Sequence, residues 1–358
     1  MYSETDIEGA VTAGAISRDT AERLRAHVAA SRHTPVADEE SFRLLTGFND
    51  IFVSIAIGLL LAAIAGIGGQ LSPYLPGPLV AASAWGLAEY FTRTRRMALP
   101  SIVLLIAFVG AVAATLATPL MVNAEPVSDW MKSIAPSENG QAAIASSIAA
   151  VIGLITAAAA WVHWRRFMVP ITVAAGAVAV VGVAMSLIVG LIPPAREAIY
   201  PLVLAAGIAM FAFAMRWDMS DTQRRTRRSD VAFWLHLAAA PMIAHAMFNM
   251  LGVFGAEMDV GRALLVVALY VAFAMIALAV DRRALLVSSL VYVLGALYAL
   301  FRQAGALELS AAFTGLVIGS ALLLLSAFWQ RARARVVALL GSIGRHLPPV
   351  ATPITASA

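Results

Sequence analysis

The feature that most constrains this chain is a series of ten apolar runs, each long enough to cross a membrane as a helix. The hydrocarbon core of a bilayer is about 30 Å thick and takes about 20 apolar residues per helix. Charged residues make up only 13% of the 358 positions, against roughly 25% in a soluble domain. We therefore predict an all-α, polytopic transmembrane helix bundle with about ten spans, at residues 51–69, 73–91, 97–121, 142–164, 167–190, 197–215, 231–254, 262–280, 284–302 and 308–329.

The arginines predict how these spans are oriented. With ten spans, 21 of the 25 Lys and Arg residues fall on the side of the N-terminus, and four fall on the other side: Lys132, Arg196, Arg262 and Arg302. Loops on the cytoplasmic side carry the excess of Lys and Arg. The distribution therefore predicts that both termini are cytoplasmic.

Three parts of the chain can be separated by composition. Residues 1–37 are predicted to form a cytosolic helical hairpin and linker, with two short helices joined at residues 13–15 and Ser17 capping the second. Two interpretations of this hairpin stay open: it docks on a partner, or it is a solvated tail with partial helicity. Residues 38–330 form the transmembrane helix bundle. Residues 331–358 are predicted to continue as a basic amphipathic helix and tail on the cytoplasmic surface.

The basic pairs at the start of some spans suggest a repeated unit. Arg95-Arg96 and Pro100 open the third span, and Arg165-Arg166 and Pro170 open the fifth with the same RRxxxP spacing. This echo favours repeated helical hairpins in parallel orientation. The alternative is that any helix entering from the cytoplasm begins with basic residues.

The seventh span carries the polar groups that are most informative about function. Pro241 lies ten residues from Val231, which is about 15 Å along a helix and near the bilayer midplane. His245 and Asn249 share a face with Pro241, and we expect that face to look into the bundle or a wet cavity. Two interpretations of this polar intramembrane site remain: a relay for protons or solute, or hydrogen-bonded packing between helices.

Two further residues are secondary candidates. His236 points away from His245, because nine residues correspond to half a turn beyond two full turns and to about 13.5 Å of rise. We expect it to snorkel or hydrogen-bond near the cytoplasmic edge of the membrane. Glu89 precedes Arg93 by four residues, so an i, i+4 ion pair is its expected role. No carboxylate is expected deep in the bilayer to drive a proton cycle.

Several classes of function are disfavoured. The chain has no cysteine, which excludes disulfides and thiolate metal sites. It also lacks HExxH, P-loop and GxSxG motifs, so we predict neither an enzyme nor a bound cofactor or metal. The basic run at 223–228 is expected to meet anionic lipids of the bilayer rather than nucleic acid. A protein partner at the N-terminal hairpin and a homo-oligomer are left open.

Three stretches resemble a bacterial family of predicted multi-pass membrane proteins of unknown function: AGAISRDTAERLRAHV, FRLLTGFNDIFVSIAIGLLL and FWLHLAAAPMIAH. The resemblance implies a location in the inner membrane of a bacterium, and it assigns no role to any residue. Two functions therefore remain as expectations. The first is a transporter or permease with its polar site in span seven, and the second is a non-catalytic scaffold or sensor that recruits partners through its termini.

Overall fold

The protein is described by a computed structural model that covers residues 4–31, 48–222, 224, 226–253, 259–305, 309–341, 344 and 347–350. In this part of the chain all regular structure is helical. The α-helices are α1 (Glu4–Thr12), α2 (Arg18–Ser31), α3 (Phe48–Leu71), α4 (Pro76–Ala88), α5 (Ala98–Val122), α6 (Ala124–Ile134), α7 (Glu138–Phe167), α8 (Ile171–Leu191), α9 (Ile199–Met219), α10 (Arg227–Met250), α11 (Val260–Val280), α12 (Ala284–Gln303), α13 (Ser310–Ala327) and α14 (Trp329–Leu339).

The predicted all-α membrane fold is confirmed. Among the described residues, nine helices are long and apolar enough to cross a membrane. The remaining predicted span corresponds to α4, which has 13 residues and continues without interruption into a six-residue π-helical segment, Glu89–Thr94. Together the two segments cover residues 76–94 and are as long as the shorter spans. The side of the membrane on which each end lies stays a prediction.

Eight of the membrane helices pair as antiparallel hairpins: α4 with α5, α7 with α8, α9 with α10, and α11 with α12. Each hairpin turn contains a non-glycine residue with left-handed backbone, at Arg96, Met168, Arg224 and Asp281. Such conformations are uncommon outside glycine. The recurrence of a left-handed residue in the four turns is consistent with the repeated hairpin that the RRxxxP spacing favours. These four turns lie at one end of the bundle, called the turn end below, and the opposite end is the far end.

Helix α10 lies at the centre of the C-terminal half of the bundle. It packs against α8, α9 and α12. In its most apolar 18-residue stretch 56% of the residues are buried, against 33% or less in the corresponding stretches of the other spans. The close approach of α9 to α10 depends on Gly207 of α9, because a Cβ at this position would lie 3.0 Å from the Cβ of Met242 on α10. This central position allows α10 to present polar groups to several neighbours.

The two terminal segments differ in how they pack. Ser17 Oγ accepts a hydrogen bond from the Thr20 amide at 3.1 Å, so α1 and α2 form the two short helices with the predicted cap. Residues 32–47, which include the predicted linker and the residues before the first span, lie outside the described residues. Helix α14 packs against α11. One face of α14 is buried, with Trp329, Arg333 and Val336, and its predicted position on the cytoplasmic surface stays a prediction.

The long loop between the third and fourth predicted spans contains α6. This short helix carries Trp130 and the exposed pair Asp129–Lys132, whose charged atoms lie 3.1 Å apart. Its residues are exposed or half-buried. The loop therefore consists of one short helix that is not enclosed by the rest of the described bundle.

Candidate functional site

Helix α10 begins at a network of short hydrogen bonds. Thr226 Oγ1 accepts from the amide of Arg228 at 3.2 Å, and Asp221 Oδ2 accepts from the amide of Thr226 at 2.8 Å. Such a cap satisfies amides that a helix start leaves without intrahelical partners. Pro241 lies inside the helix and lacks an N–H. Two groups of polar side chains flank this proline on opposite sides of the helix.

The first group is called the open cluster and consists of His245, Asn249 and Tyr292. His245 Nδ1 lies 2.9 Å from Tyr292 Oη on α12, and His245 Nε2 lies 3.1 Å from Asn249 Nδ2. Tyr292 is held by stacking on Phe248, with ring centroids 4.2 Å apart. Sequence reasoning brought His245 and Asn249 together on one face. It did not identify Tyr292, which comes from another helix.

The two hydrogen bonds of the His245 ring involve different kinds of partner. An amide nitrogen donates, so Nε2 is placed to accept from Asn249, whereas the Tyr292 hydroxyl can donate to Nδ1 or accept from it. The imidazole thus connects a neighbour on its own helix to a side chain of α12.

The open cluster lies on a part of α10 that the described residues leave partly uncovered. The side chains of Pro241 and His245 are exposed, and that of Asn249 is half-buried. The ring of Tyr200 on α9 lies 6.2 Å from the His245 ring. Of the two predicted surroundings, the bundle interior or a wet cavity, the exposure of Pro241 and His245 excludes full enclosure by the described helices. The wet cavity stays a prediction.

The second group is called the sealed cluster and consists of Asp218, His236 and Arg282. Asp218 Oδ2 lies 2.8 Å from His236 Nε2, and Asp218 Oδ1 accepts from Arg282 Nη2 at 2.6 Å. Arg282 also donates to the Ser229 carbonyl at 3.1 Å. The exposed fractions are 1% for Asp218, 2% for His236 and 4% for Arg282. The end of α9, the first half of α10 and the turn between α11 and α12 therefore meet around one carboxylate.

The sealed cluster decides between the two alternatives predicted for His236. This side chain hydrogen-bonds rather than snorkels, because its ring is buried against Asp218. The sequence pattern placed Asp218 in a loop because apolar residues stop before it, but α9 extends to Met219 rather than ending at residue 215. Asp218 lies at the end of this helix, so the prediction that no carboxylate lies deep in the bilayer stays a prediction.

His236 has one ring nitrogen left over. Its Nδ1 is buried and has no hydrogen-bond partner among the residues that the structure describes. A small cavity of about 10 Å³ lies beside it, lined by Phe211, Arg282 and neighbouring apolar side chains. This volume suits about one water molecule. A water at this point would complete the hydrogen bonding of the imidazole.

A second carboxylate ties α14 to the same end of the bundle. Asp281 Oδ2 pairs with Arg224 Nη1 at 2.9 Å, and Asp281 Oδ1 accepts from Trp329 Nε1 at 2.7 Å. Arg333 lies 3.6 Å from Asp281 and donates to the carbonyls of Pro348 and Pro349 at 2.5 and 3.1 Å. Burial lowers the pKa of the Arg333 guanidinium, and the charge of Asp281 opposes that effect. The C-terminal segment is thus anchored by buried charges.

Glu89 has the predicted partner and a second one. Arg93 Nη1 lies 3.2 Å from Glu89 Oε2, as the i, i+4 spacing indicates. Arg166 of α7 binds the same carboxylate with two hydrogen bonds, of 2.7 and 3.0 Å. Such bidentate pairs fix geometry. Glu89 therefore links the π-helical segment to α7 at the turn end.

Sequence reasoning also passed over His163 on α7. This side chain is fully buried between the rings of Trp85, Phe108 and Phe167, and neither ring nitrogen has a partner in the described part of the chain. The signal available in the sequence was a histidine just before the Arg165-Arg166 pair. Its burial depends on α4 and α5, which no local pattern indicates.

No group of three or more His, Asp or Glu side chains within the described ranges could hold a metal ion. No family model, no curated protein and no solved structure matches this chain. The two clusters on α10 therefore have to be interpreted from their own chemistry.

Proposed function

We propose that this integral membrane protein is a permease whose solute or proton site is the open cluster. One observation supports this proposal most. Both ring nitrogens of His245 are engaged by side chains, from α10 itself and from α12, on a part of a membrane helix that the described residues leave exposed. A histidine serving only as packing glue would be enclosed between the helices that it joins. Ionisable groups inside a membrane commonly mark solute or proton pathways.

The open cluster places three groups that exchange hydrogen bonds side by side: an imidazole, an amide and a phenol. A polar solute that binds the exposed imidazole would meet an amide and a phenol at the same point. The three side chains thus supply both donors and acceptors.

Cysteine accessibility tests this proposal, and the natural chain contains no cysteine. His245→Cys is expected to react with a charged, membrane-impermeant methanethiosulfonate in proteoliposomes. The matched control is Ile208→Cys on α9, an apolar and exposed position. Its neighbour Gly207 packs against Met242 and Ile243 of α10, which places the control at a similar depth.

Ile208→Cys is expected to stay unmodified by the charged reagent and to react only with a lipid-soluble maleimide. If His245→Cys behaves in the same way, the open cluster faces lipid or another subunit, and the proposed permease site is wrong. If only His245→Cys reacts with the charged reagent, water reaches the cluster. Proton flux driven by a pH gradient should also be faster in vesicles that contain the wild-type protein than in protein-free vesicles. Such a difference would connect water access at the cluster to transport.

A second function is favoured by the anchoring of α14. Trp329 and Arg333 connect the C-terminal segment to Asp281, so a partner bound at that terminus would act on the turn between α11 and α12. The corresponding proposal is a non-catalytic scaffold or sensor that recruits partners through its termini. Deletion of residues 1–37 should then remove proteins that co-purify with the full chain. An unchanged set of co-purifying proteins would count against recruitment by the N-terminal hairpin.

For either function we propose the inner membrane of a bacterium, with both termini in the cytoplasm. The support is the concentration of 21 of 25 Lys and Arg residues on the side of the termini. Fusion of a reporter that fluoresces only in the cytoplasm to the C-terminus tests the orientation. A silent reporter with intact protein would contradict it.

A further inference from the structure

The short helix α6 at the far end of the bundle has two faces of opposite chemistry. It follows α5 after the single residue Asn123, and residues 135–137 lead from it into α7. With about 3.6 residues per turn, one side of α6 carries its larger apolar side chains: Val127, Trp130, Met131 and Ile134. The opposite side carries its polar side chains: Glu125, Ser128, Asp129, Lys132 and Ser133. Helix α6 is therefore amphipathic along its length.

The protein covers the apolar face of α6 on one flank only. Val127 and Met131 are half-buried, whereas Trp130 is 49% exposed and Ile134 is 58% exposed. No residue of α6 is fully buried. The last two residues of α5 are apolar and exposed as well. An exposed apolar surface therefore continues from the end of a membrane-spanning helix onto one flank of α6.

Both ends of α6 are tied to helices that cross the membrane. Asn123 Nδ2 donates to the Pro119 carbonyl of α5 at 2.8 Å and to Tyr74 Oη at 3.1 Å. After α6, Ser137 Oγ accepts from the amide of Gly140 at 3.1 Å and so caps the start of α7. Helix α6 is therefore confined to the far end of the bundle, where α5 and α7 leave the hydrocarbon region.

The charges of α6 indicate which kind of lipid contact it can make. Its polar face carries two carboxylates and one ammonium, and Lys132 Nζ lies 3.1 Å from Asp129. Amphipathic helices that depend on anionic lipids carry an excess of Lys and Arg on the polar face. Helix α6 has no such excess, so its affinity for a membrane has to come from its apolar side chains.

We propose that α6 binds the bilayer surface at the far end, with Trp130 and Ile134 inserted at the boundary between headgroups and acyl chains. Amphipathic helices bury their apolar face about 5–10 Å deep in this region, and indole rings are enriched there. Lys132 and Asp129 on the opposite face stay in water. The partner is a lipid surface of either headgroup charge rather than a second copy of the chain. The proposal is independent of the permease, because no residue of α6 belongs to the open cluster.

Spin labels on the two faces test this proposal in the full chain, whose natural sequence contains no cysteine. Ile134→Cys carries the label on the apolar face. Ser133→Cys is the matched control, because it is adjacent, exposed and on the polar face. Both variants are reconstituted in nanodiscs of dioleoylphosphatidylcholine, and the collision rates of the label with oxygen and with a water-soluble nickel chelate are measured.

The ratio of oxygen collisions to nickel collisions should be several-fold higher for Ile134→Cys than for Ser133→Cys. The reason is that oxygen concentrates in hydrocarbon, while the chelate stays in water. A second pair repeats the comparison at two other exposed positions, with Trp130→Cys on the apolar face and Asp129→Cys on the polar face. Replacing part of the lipid by dioleoylphosphatidylglycerol should leave all four ratios unchanged, because α6 has no basic excess.

Three outcomes would overturn the proposal. Frequent nickel collisions at all four positions would place both faces of α6 in water. Few collisions with either reagent at Trp130→Cys and Ile134→Cys would place the apolar face against protein, as in contact with a second copy of the chain. A ratio at these two positions that rises with the content of dioleoylphosphatidylglycerol would mean that headgroup charge holds the helix at the membrane.

Discussion

His236 and His245 lie on the same helix, nine residues apart, in opposite environments. His236 is 2% exposed and bonded to a buried carboxylate, whereas His245 is exposed and bonded to an amide and a phenol. Their own helix fixes only that they point in opposite directions. The difference in burial comes from the partners: Asp218 and Arg282 enclose His236, while the described residues leave His245 exposed.

The comparison separates two uses of polar groups in a membrane helix. In the sealed cluster each strong charge has a partner, which is the arrangement expected of a structural joint between helix ends. In the open cluster the histidine is exposed and its partners are an amide and a phenol, so the removal of one group breaks no buried ion pair. We therefore expect changes to the sealed cluster to affect folding and changes to the open cluster to affect mainly function.

The largest effect is expected for Asp218→Ala. This change leaves Arg282 buried without its counter-charge, and loss of one partner of a buried ion pair costs about 3–5 kcal/mol. The free energy of unfolding in mixed micelles measures it. Asp129→Ala is the control, because Asp129 pairs with Lys132 while 77% exposed, and exposed pairs contribute about 1 kcal/mol or less. Equal losses for the two variants would contradict the structural role of Asp218.

A double variant sharpens this prediction. Asp218→Leu combined with Arg282→Met replaces the buried charges by apolar side chains of similar size. Because such replacements are often neutral or stabilising, the double variant should recover most of the stability that Asp218→Leu alone loses. A double-mutant cycle on the free energy of unfolding gives the coupling. Additive losses would mean that the two charges are independent.

A smaller effect is expected for Trp329→Phe. The change removes the N–H that donates to Asp281 at 2.7 Å, and a hydrogen bond to a charged group is worth about 1.5–3 kcal/mol. Trp161→Phe is the control, since Trp161 is 58% exposed on α7. The thermal midpoint in detergent should fall only for Trp329→Phe. No difference between the two would show that the α14 anchor does not depend on this bond.

The smallest effect on stability is expected for Tyr292→Phe. The hydroxyl meets His245 Nδ1 in an exposed setting, where water can replace it, so the loss should be about 1 kcal/mol or less. Tyr298→Phe on the same helix provides the comparison. A loss as large as that of Asp218→Ala would place the open cluster among the structural joints and remove the contrast between the two histidines.

Much of the fold could be predicted because it depends on local composition. Apolar runs and the positions of arginines define the ten spans and the hairpins without knowledge of any contact. The second span is split only because the helix widens to a π-helix at Glu89, which hydropathy does not register. The pairing of His245 with Asn249 could be predicted for the same reason, since both lie on one helix face.

The partners from other helices could not be predicted. Tyr292 reaches His245 from α12, and Arg282 reaches Asp218 across 64 positions of sequence. No periodicity connects such residues, because the contacts follow from how hairpins pack together. Asp218 was also obscured by its own charge: an acidic residue at the end of an apolar run is typical of a loop. Its burial is made favourable by partners from other elements, His236 and Arg282.

The most direct test of the contrast between the two histidines is hydrogen–deuterium exchange at the imidazole C2 position, followed by mass spectrometry of peptides. It compares both rings in the unaltered protein, reconstituted in nanodiscs. We predict that His245 exchanges several-fold faster than His236, because water reaches the open cluster while Asp218 and Arg282 enclose the other ring. Equal rates, or faster exchange at His236, would contradict the assignment of one open and one sealed cluster on α10.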